Sequence, residues 1–175
     1  MSDLDFRKII SILRITVPYT GMILSTREDA DMRHEALSLG ISQISAGSRT
    51  NPGGYSENDS AEQFSLGDHR SLEEVIRDIA TMGHIPSFCT GCYRLGRTGH
   101  DFMDLAKPGL IKQYCLPNAL TSFKEYLVNY ATPETRTIGN ALIAKMLVDI
   151  PDDSLREKTV ASLAQIENGA VDIYV

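Results

Sequence analysis

The sequence predicts an α/β chain: the last strands of a βα barrel over residues 1–88, left incomplete, followed by a helical region over residues 89–175. Three observations carry this. Short apolar runs alternate with amphipathic helical segments as far as residue 88, the βαβ pattern of a parallel sheet. Beyond residue 117 the periodicity is helical only. The three or four strands are also too few to cover a parallel sheet, which needs both faces and both edges protected, so they belong to a larger closed sheet.

Residues 3–16 place Phe6, Ile9, Ile10 and Leu13 at helical spacing, and Pro18 ends the run because its ring removes a donor and clashes with the preceding turn. "MILS" (22–25) is a short buried strand. "TREDADMRHEALSLG" is a helix with acidic residues in its first turn and Gly40 past its end. "ISQISA" (41–46) is the next strand. Residues 47–63, rich in Gly, Asn, Ser and Pro, form a loop, and "FSL" is a candidate further strand. Ser71 and Glu74 make a capping-box pattern for the helix "LEEVIRDIATMG", and "HIPSF" (84–88) is extended. "DFMDLA" is a short helix and "PGLIKQYCLPN" an irregular connection. Helices are expected at 118–130, 134–149 and 153–168, with Pro133, Pro151 and Gly169 as punctuation and an apolar face that includes Leu120, Phe123, Leu127, Leu142, Ile143, Leu147, Val160 and Leu163.

Composition excludes some classes of function. With 17 basic against 23 acidic residues and a net charge of -6, no basic field gathers phosphates, which argues against nucleic acid or an anionic membrane as partner. No run approaches the roughly 20 apolar residues of a membrane crossing, and "MSDLDFRKII" is acidic where a signal peptide is basic. A cytoplasmic protein is expected. In that reducing compartment the 3 cysteines are better read as metal ligands or redox groups than as cross-links.

Those cysteines hold the chemistry. In Cys89-Thr-Gly-Cys92 the two-residue spacer lets both sulfurs face one ion, Gly91 permits the tight turn, and backbone N–H groups can donate to sulfur. Cys115, after 22 intervening residues, can complete a three-thiolate site if the connection folds back. Spacing leaves three readings open. One is a [4Fe–4S] cluster with its fourth iron free for an outside ligand. The second is structural zinc with His84 or His100 as fourth ligand. The third is a redox pair, or plain buried thiols, with Cys115 unrelated.

The segments "ILSTRE" (23–28), "SAGSRTNPGGY" (45–55), "EQFSLGDHRS" (62–71) and "CTGCYRLGRTGHDFM", with a third cysteine 23 positions after the second, resemble the C-terminal part of the HydG family. These are radical S-adenosylmethionine (SAM) tyrosine lyases that mature [FeFe]-hydrogenase. The tyrosine lyases of thiazole biosynthesis share "LSTRE" and "PGGY" but lack the C-x2-C-x22-C array. The resemblance implies a (β/α)8 radical-SAM barrel followed by a helical C-terminal auxiliary-cluster domain. It implies cleavage of tyrosine to p-cresol and a fragment yielding CO and cyanide, and assembly of these on an auxiliary [4Fe–4S] cluster carrying an additional iron. Its ligands would be Cys89, Cys92 and Cys115. The sequence contains no C-x3-C-x2-C, so SAM and its own [4Fe–4S] cluster are expected in a missing N-terminal barrel portion, together with the histidine that holds the additional iron. The expected partners are that portion, tyrosine and other hydrogenase maturation proteins.

At the end of the first strand Arg27 is a candidate clamp for the tyrosine carboxylate, because such barrels place active groups at the C-terminal ends of their strands. The plainer reading is an exposed arginine pairing with Glu28 or Asp29. Ser45 is its companion candidate on the next strand, against the plainer role of a serine satisfying backbone. "NPGGY" is a lid or a surface connection, Arg94 and Arg97 offset cluster charge or are solvated, and His69 is structural.

Overall fold

The computed structural model describes residues 1–54 and 62–175. They form two compact units, Met1–Leu72 and Glu73–Val175.

In the first unit, α1 (Asp3–Thr16) begins with Ser2, whose hydroxyl accepts from the Asp5 N–H while the Asp5 carboxylate accepts from the Ser2 N–H. This reciprocal cap satisfies two of the donors that a helix start leaves without partners. Strands β1 (Ile23–Leu24) and β2 (Gln43–Ile44) pair in parallel, Ile23 with Gln43 and Leu24 with Ile44. Between them runs α2 (Ala30–Ser38), capped by the Asp29 carboxylate, which accepts from Met32 N–H at 2.9 Å. Ile10 of α1, Leu24, Ala36 and Ile41 make the core of this βαβ arrangement. Arg14 ties its ends, donating to the carbonyls of Gly40 (2.9 Å), Pro18 (2.8 Å) and Thr20 (2.9 Å).

Residues 22–25 and 41–46 were expected as strands, and each contributes only two paired residues. The extended segments at 64–66 and 84–88 join no ladder among the described residues. A strand exists only where a neighbour answers its donors and acceptors, so an apolar run with one neighbour, or none, stays short or irregular. The loop reading of "NPGGY" includes Tyr55, and residues 55–61 lie outside the described residues.

The end of β1 is instead clasped by the turn at 66–70. The N–H groups of Gly67 and Asp68 both donate to the Thr26 carbonyl, at 2.9 and 3.1 Å. A Cβ at Gly67 would stand 2.5 Å from the Arg27 carbonyl oxygen, so only glycine allows this approach. Arg33 and Asp68, 1% and 4% exposed, form an ion pair at 2.7 Å, and Arg70 Nη2 reaches the same carboxylate at 2.7 Å. Asp68 is held below the ordinary carboxylate range, chiefly by the hydrogen bond from the Arg70 side chain and against the opposing effect of burial, with the Arg70 N–H and the Arg33 charge adding to the depression.

Downstream of this, α3 (Leu72–Thr81), α4 (Gly91–Arg94), α5 (Gly99–Ala106), α6 (Lys112–Asn129), α7 (Pro133–Leu147) and α8 (Asp153–Glu167) follow. Ile76, Ala80, Leu120, Phe123, Leu127, Leu142, Ile143, Ile150 and Leu163 are their buried core. Thr132 and Asp152 cap α7 and α8, and Pro133 stands in the first turn of α7, where its lost donor is not needed. Arg136 closes the far end of α6 by donating to the Leu127 and Val128 carbonyls at 2.9 and 3.0 Å. Glu73 accepts from Thr135 (2.5 Å) and Thr132 (2.7 Å), and these hydroxyls are the main reason its carboxyl is held low. At Gly139 a Cβ would lie 2.6 Å from both methyls of Leu127, so glycine sets the closeness of α6 and α7.

The irregular connection expected over residues 108–118 is corrected. Helix α6 begins at Lys112 and runs through Cys115 and Pro117. Proline in a helix forfeits one hydrogen bond, and Pro117 is fully buried, so the area it removes from water offsets that cost. Among the described residues no helix is long and apolar enough to cross a membrane.

Gly139→Ala should therefore destabilise the second unit by about 1–3 kcal/mol, seen as a lower thermal midpoint by circular dichroism. Asp68→Asn should cost about 3 kcal/mol at neutral pH. Because folding lowers the Asp68 pKa, its contribution is present above the unfolded carboxyl range of about pH 4 and disappears as pH falls through the native value. The gap in denaturant midpoint between wild type and variant should thus narrow as pH falls below about 4 and close only below the lowered native value, and a gap that does not change with pH would contradict the assignment.

Candidate functional site

The three cysteines all lie in the second unit and carry free thiols. Extended residues 84–88 lead to Cys89, whose N–H donates to the Ser87 hydroxyl at 3.3 Å. The chain then turns into the single-turn helix α4, so that the Gly91 N–H donates to Cys89 Sγ at 3.3 Å and Cys92 follows inside the turn. This is the backbone-to-sulfur bonding expected of the C-x2-C spacing. Cys115 arrives from another element, the first turn of α6, where its N–H reaches the Ile111 carbonyl at 3.0 Å.

Electrostatics link the three. The Cys115 thiol is pushed up first by burial, then by the neighbouring Cys92 and Cys89, while Arg97 pulls it down. Its side chain still reaches solvent, so the effect of burial is partial. The Cys92 and Cys89 sulfurs and the Arg97 guanidinium thus lie within electrostatic range of Cys115. Among the described residues no three His, Cys, Asp or Glu side chains are drawn close enough to grip an ion as they stand. Reduced thiols gain nothing from mutual contact, and only a centre that binds them supplies the attraction.

Two arginines flank this region in different states. Arg94 pairs with Asp172 at 2.8 Å and lies 5.5 Å from the Tyr174 ring centroid. Arg97 stacks on Tyr114 at 4.6 Å, and its Nε is buried with no hydrogen-bond partner among the described residues. An orphaned cationic donor next to thiols is the environment that a thiolate or sulfide would complete. The donor set suits soft, thiophilic metals, iron–sulfur or zinc. Of the two histidines considered as a fourth ligand, His84 is exposed and His100 places Nδ1 3.0 Å from Asp104.

The residues after α8 were given no role by the sequence, which shows no periodicity there. Asp172 accepts from Arg94, its N–H donates to Glu125 at 2.9 Å, and Val175 exchanges backbone hydrogen bonds with the Asn118 amide at 3.0 and 3.2 Å. Asp172, Ile173 and Tyr174, together with Phe88, Cys89, Thr90 and Tyr126, border a cavity of about 150 Å³.

The strand-end candidates belong to the first unit. Arg27 is exposed and lies over the Phe64 ring at 4.5 Å, a cation–π contact in place of the pairing with Glu28 or Asp29 weighed for it. Ser45 is half-buried; its N–H donates to the Leu24 carbonyl at 3.0 Å and its carbonyl accepts from Arg33. The buried group at this strand end is thus Arg33 with Asp68. The acidic segment "TREDADMRHEALSLG" hid it, because nothing local marks Arg33 as an inward-facing arginine. His69 is exposed, with Nδ1 4.0 Å from Glu62.

Replacing Arg97 with Gln removes the cation that lowers the Cys115 thiol, so that thiol should rise further. Iodoacetamide labelling of Cys115, followed across pH by peptide mass spectrometry, should then shift to more alkaline pH than in wild type; an unchanged profile would contradict the coupling.

Several known proteins are similar to this chain in sequence or fold. Residues 1–85 match the Biotin and Thiamin Synthesis associated domain. The 2-iminoacetate synthase of Escherichia coli is 35% identical over 100 residues, 55% of this chain and 26% of that protein. That of Salmonella typhimurium is 34% identical over 87 residues, 49% of this chain and 23% of its own length. A crystal structure of HydG, a maturase of the [FeFe]-hydrogenase, superposes with a TM-score of 0.94 at 50% identity, over 100% of this chain and 38% of that one. The chain thus spans about a quarter of the curated relatives and little over a third of the solved structure. Over its whole length, this chain is similar in sequence and in fold to the C-terminal region of HydG.

Proposed function

We propose that this chain is the auxiliary-cluster portion of a radical-SAM tyrosine lyase that matures [FeFe]-hydrogenase, with Cys89, Cys92 and Cys115 as ligands of a [4Fe–4S] cluster carrying an additional iron. The observation that carries this reading is the Cys115 thiol, set on α6 yet within electrostatic reach of both Cys89 and Cys92 and of Arg97. The 50% identity to HydG supports it. Residues 1–88 contribute the last part of the barrel and residues 89–175 the cluster-bearing region. SAM and its own [4Fe–4S] cluster belong to the N-terminal barrel portion, tyrosine is the substrate of the assembled enzyme, and the other maturation proteins are partners in the cytoplasm.

The chain's own residues have three tasks. Cys89, Cys92 and Cys115 would give up their protons and hold the cluster as three thiolates. When bound, the cluster supplies an open coordination position at which CO and cyanide are assembled with iron. Arg97 opposes the negative charge of the thiolates, and the Gly91 N–H stabilises Cys89 Sγ. At the strand end, Arg27 is the candidate for the tyrosine carboxylate, where its guanidinium would exchange the Phe64 face for a bidentate contact, with Ser45 beside it.

Anaerobic reconstitution of the full chain with iron and sulfide should give a broad absorbance near ~400 nm and about four irons per chain, or about five with the additional iron. Cys89→Ser should lose most of that absorbance. Tight stoichiometric zinc in a colourless, oxygen-stable protein would overturn the iron assignment and favour structural zinc.

A further inference from the structure

The cysteine site draws its ligands from two elements, the turn at Cys89–Cys92 and the first turn of α6. Cys115 belongs to a long helix locked into the core by Leu120, Phe123 and Leu127. The other two belong to a four-residue helix between irregular segments, with Cys89 exposed. A turn so small has no core of its own. Something else must fix it against α6.

We propose that the segment 172–175 is a clasp that positions the Cys89–Cys92 turn against α6, with Asp172, Tyr174 and Asn118 as its positioning residues. This rests on the reading that the three thiols serve one centre. One end of the clasp grips α6. Asn118, 3% exposed and three residues beyond Cys115, accepts from the Val175 N–H at 3.0 Å and donates to the Val175 carbonyl at 3.2 Å, so its amide is read on both sides by the strap backbone. Two turns further along α6, Glu125 accepts from the Asp172 N–H at 2.9 Å. The other end grips α4. The Asp172 carboxylate accepts from Arg94 Nη1 at 2.8 Å. The Tyr174 ring covers buried Gly91 so closely that a Cβ there would stand 3.3 Å from it, and it also receives the Arg94 guanidinium at 5.5 Å.

The strap backbone is shaped for this double grip. Asp172 is the single non-glycine residue with positive φ among the described residues, at 61°. Aspartate tolerates that conformation better than most residues, and here it turns the N–H toward Glu125 and the carboxylate toward Arg94. The contacts divide between the two ligand-bearing elements, and the Gly91 that Tyr174 covers is the residue whose N–H donates to Cys89 Sγ. Holding Gly91 holds the sulfur.

Trivalent arsenic tests the geometry without iron. Arsenous acid condenses with three thiols, forming three As–S bonds and releasing three waters with no change of oxidation state, so its affinity reports how readily the three sulfurs converge. Titration of the reduced full-length chain with arsenite should give one three-thiol adduct in wild type, by sulfur-to-arsenic absorbance and loss of three free thiols. The variant Asp172→Ala with Tyr174→Ala should bind about tenfold more weakly, a loss of about 1.4 kcal/mol. Asp172→Asn keeps the acceptor and the tolerance of positive φ and should stay within about twofold of wild type. Both positions are at the surface or nearly so, and circular dichroism controls for folding; Asn118→Ala, at a buried position, should show the same weakening at temperatures where its helical signal is intact. Equal arsenite affinity in wild type and the double variant would overturn the clasp. Failure of iron and sulfide to bind wild type, with arsenite affinity still dependent on the strap, would sink the cluster reading and leave the clasp standing.

Discussion

The close approach of α6 and α7 at Gly139 is the constraint on which the second unit rests. With the Leu127 methyls 2.6 Å from where a Cβ would stand, a larger residue meets the other helix only if the Leu127 side chain shifts. The contact fixes the axis of α6, and every other feature of that unit is referred to it. Lys124 reaches from α6 to Glu167 of α8 and to Asn140 of α7, Arg136 returns to close the far end of α6, and the same helix presents Cys115 in its first turn. Core packing at Leu127, about 18 Å along α6 from Cys115, therefore decides where one of the thiols stands. Interiors are packed too densely to deform gradually, so a change at the crossing is transmitted along the helix.

The first unit depends on a different balance. Its two-residue strands carry few ladder hydrogen bonds, and order at the strand end comes from a buried Arg33–Asp68 pair and from the turn that docks Gly67 against residues 26–29. Removing two charges from water costs about as much as their attraction returns, so such a pair contributes little net stability while making the correct arrangement far better than any with one partner displaced. That is a means of specifying geometry where a short sheet cannot. It holds the backbone beneath Arg27 and Ser45 still, and both candidate residues sit on it.

Charge has opposite uses in the two units. Around Asp68, cations lower a carboxyl and keep it ionised. Around Cys115, burial and two neighbouring thiols raise the thiol's pKa, and a single guanidinium opposes them. There the partly desolvated group is held toward its neutral form.

What the sequence by itself determined was local. Helices expected at 3–16, 134–149 and 153–168 appear as Asp3–Thr16, Pro133–Leu147 and Asp153–Glu167, because periodicity, caps and prolines act within one or two turns. The C-x2-C turn with its glycine was legible for the same reason. The tertiary structure alone decided the rest. It set the length of each strand, which depends on a neighbour distant in sequence, and it continued α6 through Pro117, which only burial makes tolerable. It turned Arg33 inward to Asp68 and brought the segment after α8 back across the cysteine turn. These depend on contacts between residues 35 to 78 apart, whose cost in chain entropy is repaid only when the whole unit packs, and no short window of sequence contains both partners.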